Sequence, residues 1–435
     1  MIRSLSLSFA LLAACASQAF AWGTNHHHIS QAAADLLPPW QREIIKDEIP
    51  PFVARYCLYP DVAGHADAKP YIMPVPPDAK ALLHLPGGLE RNKLVFDYYL
   101  PRVVTLFRQG EVKEAMRFFG SVAHYLEDSS CPAHFAHGDI AVPEGGPTLS
   151  QPSFIAGLML LPPDIETEPF HARIDACPVS LAQLKAAVRG YRPRLLGASV
   201  DELIFHVLEQ HHQMNARTQR LLIPMMQALG ERNQSKFVKH GIIAAAEGAR
   251  LLADVLYSVL SIAQNRFDTR PPGDVCLADF TPARTPPFTW SDRNHQGRLI
   301  RNASGSYAHH GGEPPGLGRH PLRLRMPDGK PRTFAKGFGV GWRTEYTFFV
   351  PTNVFAKFTV WAGNDAGIGA AGTNTFVVLL DGKIAATSRK MRGLEAPAEF
   401  FEIPLAGATN LTLRISSEGL PSRTHGVWAE PMLRK

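Results

Sequence analysis

His124-Tyr125-Leu126-Glu127-Asp128, followed by Cys131-Pro132-Ala133-His134, is the densest group of metal-competent side chains in the chain. In a helix, residues four apart share a face, so His124 and Asp128 stand one turn from each other. Pro132 cannot continue a helix, and the turn it forces lets His134 fold back beside them. Imidazole nitrogens and carboxylate oxygens are zinc ligands, and one carboxylate can bridge two ions. Gly120, a turn earlier on the same face, is expected to leave room for a metal-bound partner. The alternative is a buried, hydrogen-bonded His124 with Asp128 as an ordinary helix residue. A carboxylate near a helix C-terminus opposes the dipole, however, so Asp128 requires a cation nearby. A second group is Trp22-Gly23-Thr24-Asn25-His26-His27-His28. If Trp22 begins the mature chain, its deprotonated amine and adjacent carbonyl can chelate a metal with one of the histidines. The tract reads equally as a surface metal binder. A third pair, His171 and Asp175, stands one helical turn apart and by itself reads as solvated helix.

The elements that must position these residues differ between the two ends of the chain. From Trp22 to about Gln264 the pattern is mostly helical. Glu111 to Asp128 carries an apolar stripe through Ala115, Phe118, Phe119, Val122 and Leu126, and long helical patterns follow at Val200 to Leu229 and Asn233 to Gln264. Pro143 to Pro193 is Pro-rich and reads as irregular, and long segments of this kind are commonly functional. Between Arg270 and Pro287 the prolines leave no space for a regular element. Beyond them, Tyr346 to Val350, Ala356 to Trp361, Thr375 to Leu380 and Leu411 to Ile415 are β-branched and aromatic runs, with Asp381-Gly382 as a hairpin signal. The expected architecture is multidomain: an all-α domain at 22–268, a Pro-rich linker at 269–287 and an all-β jelly-roll sandwich at 288–435.

A chain of 435 residues exceeds what one core holds. Its 45% apolar and 19% charged residues are those of a globular protein, and the net charge of +6 mildly favours anionic surfaces. Arg3, the apolar run Leu5 to Ala14 and Ala19-Phe20-Ala21 predict a signal peptide at 1–21, hence a secreted or periplasmic protein. Leu12-Ala13-Ala14-Cys15 is an alternative lipoprotein site, which would leave Trp22 internal. No later apolar stretch is long enough to span a bilayer. Cys57, Cys131, Cys177 and Cys276 can form two disulfides in an oxidising compartment or remain buried thiols; without C-x-x-C spacing, thiolate ligation of zinc is not expected.

In their order along the chain, the three groups resemble the zinc-dependent phospholipases C and, more distantly, the S1/P1-type nucleases. The resemblance rests on Trp22-Gly23 followed by histidine, on His124, Asp128 and His134, and on His171 with Asp175. It implies a helical fold with three zinc ions. One would be held by Trp22, Asp128 and a histidine of the tract; spacing from Trp22 favours His27, whereas the apolar stripe of Ile29, Ala33 and Leu37 favours His26. A second would take Asp61, His84, His124 and Asp128, with His65 as an alternative to His84. The third would take His134, His171 and Asp175. Asp61 would orient or deprotonate the attacking water, and hydrolysis would be direct.

Asn25 and Val62 stand where phosphatidylcholine-preferring members carry an acidic and an aromatic residue, which puts choline preference in doubt. The Gly-Gly-Asn segment of the nuclease branch is missing, and Ala172-Arg173-Ile174 lies where that branch places an aromatic. Phospholipid is therefore the expected substrate and another phosphodiester the alternative. A non-catalytic glycan-binding protein with a structural zinc cluster is the reading from a different class.

The C-terminal part resembles the NPCBM modules through Phe334 to Val340, Leu380 to Lys383 and His425 to Pro431. This implies a glycan ligand, with a peripheral membrane surface as a further partner and no obligate protein partner. Phe334 and Trp428 are expected in the core of that domain. His206, His211, His212 and His240 are read as core or surface residues.

Overall fold

The computed structural model describes residues 22–74, 83–84, 87–137, 170–284, 300–302, 304–305, 319–340, 344–367, 372–418 and 425–435. The expected signal peptide, with Cys15, and positions 143–169 of the Pro-rich segment lie outside the described residues.

Ten α-helices are described in the N-terminal part: Asn25–Leu36 (α1), Pro39–Ile45 (α2), Ile49–Ala54 (α3), Leu89–Arg108 (α4), Val112–Ser130 (α5), Phe170–Asp175 (α6), Leu181–Ala187 (α7), Val200–Gln219 (α8), Leu222–Gly230 (α9) and Gln234–Gln264 (α10). Helix α10 is capped by the Asn233 side chain, which accepts from Lys236 N, and ends where Asn265 turns left-handed at φ 47°. Its small residues admit close neighbours: a Cβ at Gly248 would lie 2.6 Å from Ser130 Oγ. The consequence is at α5. Every residue from Gly120 to Ser130 is buried, so the polar side chains of its last three turns face protein rather than water.

Several expectations change. The pattern from Val200 to Leu229 divides at Arg220 and Leu221, because Pro224 has no N–H and fits only in the first turn of a new helix. The segment expected to be irregular contains α6 and α7, the latter opened by a reciprocal Ser180–Gln183 cap. The expected linker contributes a strand, Val275–Cys276 (β1), and places Leu277 and Ala278 in the β-domain core.

The C-terminal part is built of antiparallel sheets. One has the order Glu399–Pro404 (β13), Lys357–Asn364 (β9), Gly426–Arg434 (β15), Gly337–Val340 (β7) and Ile300–Arg301 (β2), with β1 also on β15. The other runs Lys383–Thr387 (β11), Thr373–Leu380 (β10), Asn410–Glu418 (β14) and Glu345–Phe349 (β8), with Met391–Arg392 (β12) on β10. Two ribbons pair Ser304–Gly305 (β3) with Arg319–His320 (β4), and Leu322–Arg325 (β5) with Pro331–Phe334 (β6). Trp428 and Phe376 meet edge to face at 5.1 Å between the two main sheets, and both are fully buried. Phe334, the last residue of β6, is buried too, in a small cluster with Leu322 and Leu324 of β5. The hairpin from β10 to β11 turns at Asp381 and Gly382 with φ of 45° and 78°, as a two-residue primed turn requires.

The two cores meet. Phe205 of α8 belongs to the β-domain core, where it stacks on Phe280 at 4.5 Å. Among the described residues no helix is long and apolar enough to cross a membrane.

Candidate metal centre

The centre grows from α5. Gly120 does not open a pocket for a metal-bound partner, as its spacing suggested. A Cβ there would stand 2.4 Å from the Tyr56 carbonyl oxygen, so the glycine admits the backbone of the short turn Tyr56–Leu58. That approach brings the Cys57 carbonyl 2.8 Å from His124 Nδ1. A carbonyl only accepts, so Nδ1 carries the proton and Nε2 of a neutral His124 presents a lone pair. The same turn leads into Asp61, whose Oδ1 lies 3.6 Å from His124 Nε2.

Helix α1 supplies the facing wall. His26 is fully buried and stacks on His124 with ring centroids 4.4 Å apart. Its Nδ1 is 2.7 Å from Glu127 Oε2, and Ser30, one turn on, donates to Glu127 Oε1 at 2.6 Å. His26 Nε2 is thereby aimed at Asp128 Oδ1, 3.3 Å away. His84 brings Nδ1 to 3.1 Å from His124 Nε2 and 3.2 Å from Asp128 Oδ2, while its own carbonyl accepts from His134 Nδ1 at 2.5 Å. His134 Nε2 then lies 3.7 Å from Asp175 Oδ1.

Three groups of donors lie close enough to hold an ion: His26, Asp61 and His124; His84, His124 and Asp128; Cys131, His134 and Asp175. The fit to a cation has a direct sign. His26 Nε2, Asp61 Oδ2 and Asp128 Oδ1 are buried without a hydrogen-bond partner among the described residues. His26 Nε2 and Asp128 Oδ1 face each other at 3.3 Å, and only protons or a metal can satisfy such buried lone pairs.

Without a metal, protons take that place. Burial lowers the basicity of His26, yet Asp128 and Glu127 overcome it and hold its pKa well above the usual value. His134 rises to about 9, again against burial, because Asp128 and Asp175 are beside it. Burial would raise Asp128, but His124 and His134 pull it well below the usual carboxylate range.

Not every expected residue joins. His27 turns away, with Nδ1 2.5 Å from the Val53 carbonyl, so the histidine of the tract that enters the centre is His26. His65 appears in none of the three donor groups. His171 is on α6, but its side chain lies outside the described residues. Trp22 packs against the end of α5, its indole Nε1 donating to Ser130 Oγ at 3.2 Å and its carbonyl accepting from Asn25 N at 2.8 Å.

The grouping also differs from the one the resemblance implies: His26 sits with Asp61 and His124, and Cys131 joins His134 and Asp175. Cys131 donates to Asp175 Oδ1 at 3.1 Å. Cys57, Cys131, Cys177 and Cys276 are buried free thiols, so the possible disulfides are not formed. Spacing could not reveal Cys131. Glu127 had a signal, since His26 and Ser30 form an i, i+4 polar pair on an otherwise apolar face of α1.

Comparison with known proteins assigns the C-terminal part: residues 288–434 match the NPCBM/NEW2 domain family. No curated protein matches the chain. Among solved structures, the CBM51-2 and INT domains of Clostridium perfringens ZmpB are similar at 18% identity and a TM-score of 0.30, over 37% of this chain. The chain spans only 31% of that structure's length. CBM51 from C. perfringens GH95, in complex with methyl-galactose, is similar at 19% identity and a TM-score of 0.30, over 37% of this chain and 99% of that one. The alpha-toxin of C. perfringens avian strain SWCP is similar at 9% identity and a TM-score of 0.33, over 96% of this chain and 98% of that one.

Proposed function

We propose that the chain is a secreted zinc-dependent phosphodiester hydrolase whose substrates are phospholipids, cleaved in the manner of a phospholipase C. The observation that supports this reading best is that His26 Nε2, Asp61 Oδ2 and Asp128 Oδ1, on members of two donor groups joined at His124, are buried with no hydrogen-bond partner among the described residues. Imidazole and carboxylate are zinc's donor set, and the fit is to more than one ion because the group of Cys131, His134 and Asp175 shares no residue with the two groups that use His124.

Zinc supplies Lewis-acid polarisation of phosphoryl oxygens and makes water acidic enough to attack at neutral pH. The chain's own residues set the rest. Glu127 fixes the ring of His26, the Cys57 carbonyl that of His124 and the His84 carbonyl that of His134, so each Nε2 presents its lone pair inward. Asp61 would orient the attacking water or accept its proton. His84 is 30% exposed whereas His26, His124 and Asp128 are fully buried, so substrate approaches on the His84 side. Removal of residues 1–21 would free the Trp22 amine beside the end of α5. The NPCBM domain is assigned a glycan ligand, which would hold the enzyme at a cell envelope.

Metal analysis of the mature protein, with release of phosphorylated headgroup from phosphatidylcholine and phosphatidylethanolamine vesicles, tests the reading. About three zinc ions and chelator-sensitive release are expected. A protein without zinc overturns it, and bound zinc without hydrolysis assigns the cluster a structural role. Faster cleavage of single-stranded nucleic acid than of lipid makes the enzyme a nuclease.

A further inference from the structure

One cavity differs in character from the metal centre: it has four arginines and no metal-ligand cluster in its lining. It encloses about 630 Å³ between the turn after α7 and the facing sides of α8 and α10, within the size of small-molecule sites. Arg189, Arg194, Arg217 and Arg250 line it, with Glu247 on the wall. None of the residues assigned to the metal centre contributes.

The guanidinium groups are held in place rather than neutralised. Arg194 is clamped through Nε and Nη2 by the buried Asp254, at 2.9 and 2.7 Å, and the Tyr191 hydroxyl donates to the same carboxylate at 2.8 Å. Glu247 takes Arg217 Nε at 2.6 Å and Arg250 Nη1 at 3.0 Å. The Arg250 guanidinium also lies over the Tyr191 ring at 5.8 Å and donates to the Ala187 carbonyl. Because Arg217 is engaged through Nε, its two terminal nitrogens remain for a ligand. Arg189 is exposed and has no carboxylate partner among the described residues.

Four cations against Glu247 and Asp254 leave a surplus of two positive charges in a concave site. Planar forked donors suit oxyanions, and a phosphomonoester carries about two negative charges at neutral pH. We propose that this cavity is a binding site for a phosphate dianion, as a phosphomonoester or free phosphate, separate from the metal centre and independent of the hydrolase reading. A carboxylate offers one charge and leaves half the surplus unmatched.

Calorimetric titration of the zinc-loaded full chain with inorganic phosphate, at constant ionic strength, tests this. Any phosphate taken by the metal centre is common to wild type and cavity variants, so their difference reads the cavity. Replacing Arg189→Ala and Arg217→Ala together should weaken the cavity event at least tenfold with an unchanged unfolding midpoint. Arg189→Lys with Arg217→Lys, which keeps charge but loses the fork, should fall between. A second arm sediments phosphatidylcholine vesicles with and without phosphatidate. Binding that requires phosphatidate and is lost in the double alanine variant identifies the source as a lipid headgroup; free phosphate binding alone identifies a soluble ligand. If the double alanine variant matches wild type in both arms, the cavity is not a phosphate site.

Discussion

Glu127 touches no expected metal position, yet it determines which nitrogen of His26 faces the centre. Its oxygens are divided between His26 Nδ1 and Ser30 Oγ, in a fully buried setting. Glu127→Gln keeps the shape but places an amide where two donors need acceptors, so zinc affinity should fall by roughly 10–100-fold, the usual cost of losing such support. Chelator competition would read this; affinity within twofold of wild type would show that His26 is oriented without it. His26→Ala and His27→Ala form a sharper pair. Bound zinc should drop in the first and stay unchanged in the second, whose ring faces the Val53 carbonyl. These residues mark how far sequence alone reached: the spacing of His124, Asp128 and His134 announced a buried cluster of metal-competent donors, because helical periodicity is local. Two spacings disagreed over His26 and His27, and deciding between them needed the position of α5 against α1. His211 offers a separate test. It is buried between Tyr125 and Phe96, and burial depresses its pKa to about 3. The folded pKa lies below the unfolded value near 6.5, so the unfolded chain binds the proton first. Stability from this group is complete above pH 6.5 and lost as pH falls towards 3, by up to about 1.4 kcal/mol per pH unit. Urea titrations of wild type and His211→Phe at pH 7 and 5 should show a shallower acid loss in the variant; equal losses would place that titration elsewhere.

At the level of elements, the decisive contact is α5 against the turn Tyr56–Leu58. Gly120→Ala would place a Cβ 2.4 and 2.6 Å from Tyr56 backbone atoms, which cannot swing aside as a side chain could. Overpacking of this kind costs about 1–3 kcal/mol. Here it would also pull the Cys57 carbonyl from His124 and displace Asp61. A lowered unfolding midpoint together with reduced zinc content is expected; a variant less stable but fully loaded would show that turn and metal are not coupled. The elements themselves were legible where one signal dominated. The stripe on α5, the helical pattern from Asn233 to Gln264 and the Asp381-Gly382 turn all follow from local chemistry. Pro224 was equally visible, but the apolar run across it was read as one helix. In the expected linker, the prolines concealed β1, because a strand of two residues has no periodicity and exists only through its pairing with β15.

For the whole molecule, the question is whether the helical and β parts unfold as one. Phe205 leaves the helical core to stack on Phe280 and approach Phe355 at 6.0 Å, inside the β-domain cluster. Around it, Thr281 N donates to Glu209 Oε2 at 2.6 Å, and Lys435 Nζ meets the buried Glu202 Oε1 at 2.7 Å. These contacts tie both ends of the β domain, the entering segment and the last residue, to one helix. Coupling between domains scales with such apolar burial, and smaller polar interfaces leave domains independent. Phe205→Ala removes the anchor and leaves a cavity, at a cost of about 3–5 kcal/mol for a buried phenylalanine. That cost falls where the helical part enters the edge of the β-domain cluster and leaves the metal centre untouched. The zinc-loaded wild type should therefore unfold in one calorimetric transition and the variant in two, with only one of them moved by chelator. Two transitions already present in wild type would show that α8 carries the β domain as an attached module. A single chelator-sensitive transition in the variant would place the coupling in the Glu209 and Glu202 contacts instead.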